Sequence, residues 1–189
     1  ISMVTLRESG FALKRVVGMA GILDSTRFRY FIAERLGVLP QDVAAMVLGG
    51  HGDTMVPLPR YTSVGGFPLT ELLDADTIES LVQRTRKGGA EIVNYLKRGS
   101  AYYAPAASVA KMVEAVVKDE KRFVAASAYL RGEYGHRDIF LGAPVLLGKN
   151  GVERIYELEL TPQEQEALQE SADAVQEGVK TLEGIYTPG

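Results

Sequence analysis

Late in the chain three β-type runs follow one another, Phe123 to Leu130, Ile139 to Leu147 and Val152 to Leu158, with only glycine-containing turns between them. A parallel pair needs a crossover of a dozen or more residues, so links this short are best satisfied by an antiparallel meander. Such a sheet has to cover at least one face, and the remaining sequence offers helices for that purpose. From Asp24 to Leu36 the apolar residues Phe28, Phe31, Ile32 and Leu36 recur at helical spacing before Gly37 ends the pattern. A second helix is expected over about Asp74 to Lys97, with Ile78, Leu81, Val82, Ile92, Val93 and Leu96 turned inward, and a third from near Pro105 to Lys118. Gly88-Gly89 interrupts the second helix, which predicts a kink or a close packing contact there. The last helix announces itself: Thr161 as cap, Pro162 at the first position and Glu164 in the capping-box place, with Leu168, Ala172, Val175 and Val179 inward as far as about Leu182.

The first half of the chain is less regular. Met3 to Ser9 reads as helix closed by Gly10, with no capping residue in front, which suggests that the chain begins inside a longer protein. Arg15 to Gly21 combines β-branched residues with glycine and reads as a short strand entering a turn. Val43 to Leu48 is a nearly continuous apolar run, read as a buried strand that delivers the loop Gly49 to Asp53. Residues 55–70, rich in Pro and Gly, favour short extended pieces and turns. The expectation is one α+β domain over residues 1–189, an antiparallel sheet with packed helices.

Composition narrows the function. No apolar stretch approaches the roughly eighteen residues of a membrane span, and the net charge of -3 is not gathered into a basic block, so neither membrane nor nucleic acid is an expected partner. There is no cysteine and there are only two histidines, which excludes thiolate chemistry, a Cys-based zinc site and a His-rich metal cage, and no metal is expected. Lack of cysteine fits a reducing, cytoplasmic setting.

His51, flanked as Gly49-Gly50-His51-Gly52, is the reactive candidate, because imidazole titrates near neutral pH and both gives and takes protons. On these residues alone a plain turn histidine is an equal reading. Asp24 and Arg27 lie three apart on one helix face. Asp24 could cap the helix and Arg27 could be a surface charge; alternatively the carboxylate orients an imidazole and the guanidinium grips a substrate carboxylate through paired hydrogen bonds. His136, in a turn-rich segment ahead of a strand, reads as a surface turn residue, and Tyr102-Tyr103 as packing rather than chemistry.

Two motifs in order, Gly21-Ile22-Leu23-Asp24-Ser25-Thr26-Arg27-Phe28 and Val47-Leu48-Gly49-Gly50-His51-Gly52-Asp53-Thr54-Met55-Val56-Pro57, resemble the lactate/malate dehydrogenase superfamily. Gly99-Ser100-Ala101-Tyr102-Tyr103-Ala104-Pro105 looks like a third family segment, the helix start that lines the substrate pocket. The resemblance implies hydride transfer between NAD and a 2-hydroxy/2-oxo acid, with His51 as proton acceptor and donor, Asp24 as its orienting acid, and Arg27 on the substrate C1 carboxylate. It also implies Ala101 beside the substrate, Pro105 near the cofactor, and a homo-dimer or tetramer. Glycine at position 50 and the small residue Ala101 are similar to the malate dehydrogenases that are lactate dehydrogenase-like in sequence, which implies malate as substrate and a place in the tricarboxylic acid cycle. A lactate or other 2-hydroxy acid dehydrogenase, or a non-catalytic oligomerisation fragment of one, is the alternative. The family pattern also breaks: no Gly-x-Gly-x-x-Gly stands at a strand-to-helix turn, so the Rossmann, NAD-binding domain is expected to lie outside this chain, which alone should be nearly inactive.

Overall fold

The structure, a computed structural model, describes residues 1–185. Its α-helices are α1 (Ser2–Ser9), α2 (Ala20–Leu36), α3 (Leu69–Leu72), α4 (Ala75–Leu96), α5 (Tyr103–Val117) and α6 (Pro162–Ile185). Its strands are β1 (Val43–Ala44), β2 (Val47–Gly49), β3 (Met55–Pro57), β4 (Ser63–Val64), β5 (Phe67–Pro68), β6 (Arg122–Arg131), β7 (Arg137–Gly148) and β8 (Gly151–Ile155). The expected meander is present: β7 pairs antiparallel with β6 from Arg122↔Leu147 to Arg131↔Arg137, and with β8 from Gly148↔Gly151 to Val145↔Ile155. With β6 along one edge of β7, the other edge is divided between β8 and β2, the latter meeting it at Gly49↔Gly142. β3 extends the sheet beyond β2, and a small separate sheet holds β1, β4 and β5 in the order β1-β4-β5.

Three apolar clusters hold helices to this frame. Phe28, Phe31 and Ile32 of α2 pack with Ile78, Leu81 and Val82 of α4. Leu168 and Ala172 of α6 pack on Leu48, Leu141 and Ala143 of the sheet, and Met112 and Ala115 of α5 on Ala126, Val145 and Leu147. The α6 start is capped as its sequence indicates, the Thr161 N–H donating to Glu164 Oε2 (2.8 Å) and the Glu164 N–H to Thr161 Oγ1 (3.2 Å).

The structure differs from the sequence reading at several places, each with a local cause. The strand expected over Arg15 to Gly21 is a 3-10 turn at Leu13–Arg15 and a single bridge, Gly18↔Ser127. α2 begins at Ala20 and takes up the rest of that segment, so Asp24 stands one turn inside the helix and the capping alternative for it is removed. The run Val43 to Leu48 is two short strands in two sheets: the chain leaves one at Ala44 and joins the other at Val47, a change an unbroken apolar run does not reveal. β8 stops at Ile155, short of Leu158, because β2 already occupies the β7 edge at Gly142. Gly88-Gly89 makes no break in α4; it is the close contact, since a methyl at Gly88 would lie 3.3 Å from Arg27 Cδ and 3.6 Å from Phe31 Cε2. His136 follows a turn but is buried, and Tyr102 and Tyr103 are exposed with ring centroids 4.9 Å apart, so they stack on each other outside the core.

Glycine identity at the β2–β7 crossing is steric. A methyl on Gly142 would run into the Gly49 carbonyl oxygen and lie 3.1 Å from the Gly49 nitrogen, whereas one on Gly178 in α6 meets nothing within 4 Å. Gly142→Ala is therefore expected to destabilise the fold by about 1–3 kcal/mol through overpacking. Gly178→Ala should stabilise it by about 0.5–1 kcal/mol through helix propensity, both read from urea unfolding midpoints.

Candidate active site

α2 approaches the sheet where Gly21 packs on the Ala125 backbone, a methyl there lying within 2.8 Å of the Ala125 carbonyl carbon. Ser25 then ties the helix to β2, its Oγ accepting from the Val47 N–H at 3.1 Å. One turn of α2 thereby places Asp24 beside the loop that leaves β2 at Gly49. The carboxylate is 1% exposed, and a buried charge of this kind needs partners.

It has two. His51 Nδ1 lies 2.9 Å from Asp24 Oδ2, and Arg27 Nη1 lies 3.4 Å from Asp24 Oδ1. A carboxylate only accepts, so Nδ1 carries the hydrogen, and Nε2 is the nitrogen left for proton exchange with a ligand. The His51 side chain is 49% exposed, so ligand has access to it. Its titration is raised above the ordinary 6.5, first by the hydrogen bond to Asp24 and then by that carboxylate's charge, against the lowering effects of partial burial and of Arg27.

Arg27 is nine-tenths buried, and among the described residues its Nε has no hydrogen-bond partner and its one acid is at long range. Donors left unspent in a buried guanidinium suit a carboxylate ligand. Gly88 of α4 makes room for Arg27, since a methyl there would lie 3.3 Å from its Cδ, whereas one on Gly89 would meet the guanidinium only at ordinary contact distance. Arg84 stacks over the Phe31 ring at 4.0 Å and is held by Glu91, which keeps this second cation engaged with protein acids.

Arg27 also lines a cavity of about 570 Å³ between α2, α4 and α5, whose α5 wall is Ala104, Ala107, Ser108 and Lys111. Ala101 lies in the loop before α5 and Pro105 in its first turn; neither belongs to that wall. Asp24, Arg27 and His51 are thus brought together. Ser25 and Ser171, which touch the two segments carrying the site, were not singled out by the sequence reading. Ser171 carried a signal, being a polar residue on the inward stripe of Leu168, Ala172 and Val175. Among the described residues no group of His, Asp and Glu side chains could hold a metal ion, and no helix is long and apolar enough to cross a membrane.

Residues 22–184 match the family model of the lactate/malate dehydrogenase alpha/beta C-terminal domain. The malate dehydrogenase of Chlorobium phaeobacteroides is 58% identical over 98% of this chain and 60% of its own length. Among solved structures, the malate dehydrogenase of Salinibacter ruber superposes with a TM-score of 0.95 at 49% identity, over 97% of this chain and 60% of that one. A Cryptosporidium parvum lactate dehydrogenase complexed with lactic acid and NAD superposes with a TM-score of 0.91 at 46% identity, over 96% and 58%. The chain belongs to the lactate/malate dehydrogenase family, and its fold is that of the family's C-terminal domain. It spans about 60% of the length of the curated relatives it matches.

The geometry yields a titration test with a defined sign. Because the folded midpoint of His51 lies above 6.5, its pairing with Asp24 adds stability that is complete below the unfolded midpoint and lost as pH rises through the folded one. Asp24→Asn should move the His51 midpoint down, toward or below the ordinary value, in an NMR titration in which His136 supplies the reference signal. An unmoved midpoint would show that the acid does not act on the imidazole.

Proposed function

We propose that this chain is the substrate-binding, catalytic domain of an NAD-dependent malate dehydrogenase that oxidises (S)-malate to oxaloacetate reversibly. The observation that carries this reading is the buried Asp24 joined on one side to a half-exposed imidazole and on the other to a buried guanidinium with donors to spare. The names of the relatives, malate dehydrogenases at 52–59% identity, support the substrate.

In this mechanism Arg27 takes the C1 carboxylate through two parallel hydrogen bonds, which fixes the hydroxyl-bearing carbon relative to His51. His51 Nε2 takes the C2 hydroxyl proton as the C2 hydride departs and the carbonyl forms; in the reverse direction the imidazolium returns that proton to oxygen. Asp24 holds the tautomer that leaves Nε2 basic, and its charge stabilises the imidazolium once formed. NAD, when bound, supplies the hydride acceptor. Among the described residues no strand-to-helix turn carries a glycine-rich phosphate loop, so most of the dinucleotide site is assigned to a part of the protein outside this chain, with Pro105, in the first turn of α5, as the contact this chain would add.

The same reading includes a homo-dimer or tetramer, supported by the exposed apolar side chains Tyr30, Tyr95, Val109, Val113 and Val117 on α2, α4 and α5. It also includes a cytoplasmic enzyme of the tricarboxylic acid cycle, supported by the absence of cysteine and the names of the relatives. Lactate is the second reading, because lactate dehydrogenases stand among the structural neighbours.

Steady-state kinetics on the protein carrying this chain together with a nucleotide-binding domain tests the proposal. Malate-dependent NAD reduction is expected, with kcat/KM for malate above that for lactate. His51→Asn should cost about 10²–10⁴-fold in kcat. Arg27→Lys, which keeps the charge and loses the paired geometry, should lower kcat/KM by roughly 10–100-fold. Near-wild-type turnover by His51→Asn would reject the catalytic assignment, and a preference for lactate would reject the substrate.

A further inference from the structure

The loop that presents His51 is also held, apart from Asp24, by a residue of α6. The Gly50 N–H donates to Ser171 Oγ at 2.6 Å, across 121 positions of sequence. Ser171 is fully buried, on the same face of α6 as Leu168, Ala172 and Val175, where an apolar residue would otherwise complete the packing. A hydroxyl in such a place has to be satisfied, and the Gly50 amide is the partner the structure gives it.

The glycines before His51 have the shape this contact demands. Gly49 adopts φ +82, and a methyl on it would lie 2.6 Å from Ser171 Oγ. One on Gly50 would lie 3.0 Å from Thr54 Oγ1 and 3.3 Å from the same hydroxyl. Their missing side chains let the backbone settle onto Ser171 immediately before His51. The loop is then fixed at two points, the Gly50 amide on Ser171 and the His51 ring on Asp24.

We infer that Ser171 is a positioning residue for proton transfer: its hydroxyl sets the height of the His51 loop so that the imidazole meets Asp24. This rests on the proposed role of His51 but concerns a contact measurable without turnover. Displacement of a reacting group by about 1 Å can cost on the order of 10²-fold in rate, so a single buried hydrogen bond next to the histidine has leverage.

The test uses the protein carrying this chain, with Ser171→Ala, Ser171→Cys and Val175→Ala compared. Cys puts a bulkier, weak acceptor in place of the hydroxyl and serves if the alanine variant does not fold; Val175→Ala thins the same helix face, where Val175 Cγ2 neighbours Gly50, and leaves the hydroxyl in place. Losing the hydroxyl should speed hydrogen exchange of the Gly50 amide by about tenfold. It should also shift the His51 NMR titration midpoint toward 6.5 as contact with Asp24 loosens, with Arg27 the other charge acting on the ring, while the His136 signal stays in place. Turnover of malate should fall in kcat with KM little changed, because Arg27 is untouched. Unchanged amide exchange and titration in both Ser171 variants would overturn the inference, as would equal changes in Val175→Ala, which would make helix docking the cause. Absence of malate turnover in the wild-type protein would instead count against the function proposed above, leaving the exchange and titration results to decide on Ser171.

Discussion

A single carboxylate sits almost wholly out of water at the junction of a helix and a sheet, and the surrounding structure is arranged to satisfy it. Leaving Asp24 buried without partners would cost several kcal/mol, enough to consume much of the stability of a domain this size. Its partners come from two elements: Arg27 from the next turn of α2 and His51 from the loop after β2. The chain must therefore hold α2 and β2 in fixed relation, which it does with Gly21 on the Ala125 backbone, Ser25 on Val47 and Gly49 against Gly142. Small residues at each of these points let backbones approach where side chains would hold them apart.

The same carboxylate gives its two partners different work. Its hydrogen bond to Nδ1 raises the proton affinity of an imidazole that remains half exposed. Toward Arg27 its contact is long and single, so it leaves the guanidinium's donors for another anion. In the function proposed above, a proton carrier open to solvent and a sheltered anion clamp, joined through one acid, would be the minimum needed to orient a 2-hydroxy acid and move its hydroxyl proton.

Much of this was legible in the sequence, because the signals were local. The antiparallel order of β6, β7 and β8 followed from short glycine turns, and the start of α6 from Thr161, Pro162 and Glu164. Asp24, Arg27 and His51 stood out through two motifs. What escaped depended on contacts between distant segments. The split of Val43 to Leu48 between two sheets has no local mark, and neither does the early end of β8, which is decided by β2 arriving at Gly142. Gly88-Gly89 offered two readings, and only the packing of Arg27 and Phe31 against α4 chose the continuous helix. Ser171 was visible as a polar residue in an apolar stripe, but its partner lay 121 residues away.

The proposed chemistry requires that one cluster, Asp24, Arg27 and His51, receive one ligand. The most direct measurement is a crystal structure of the protein carrying this chain with a bound 2-oxo acid and cofactor. The ligand's C1 carboxylate is expected on the Arg27 guanidinium through two hydrogen bonds, with the C2 oxygen within hydrogen-bond reach of His51 Nε2 and Asp24 still on Nδ1. A ligand bound away from Arg27, or an imidazole turned from Asp24 in that complex, would contradict it.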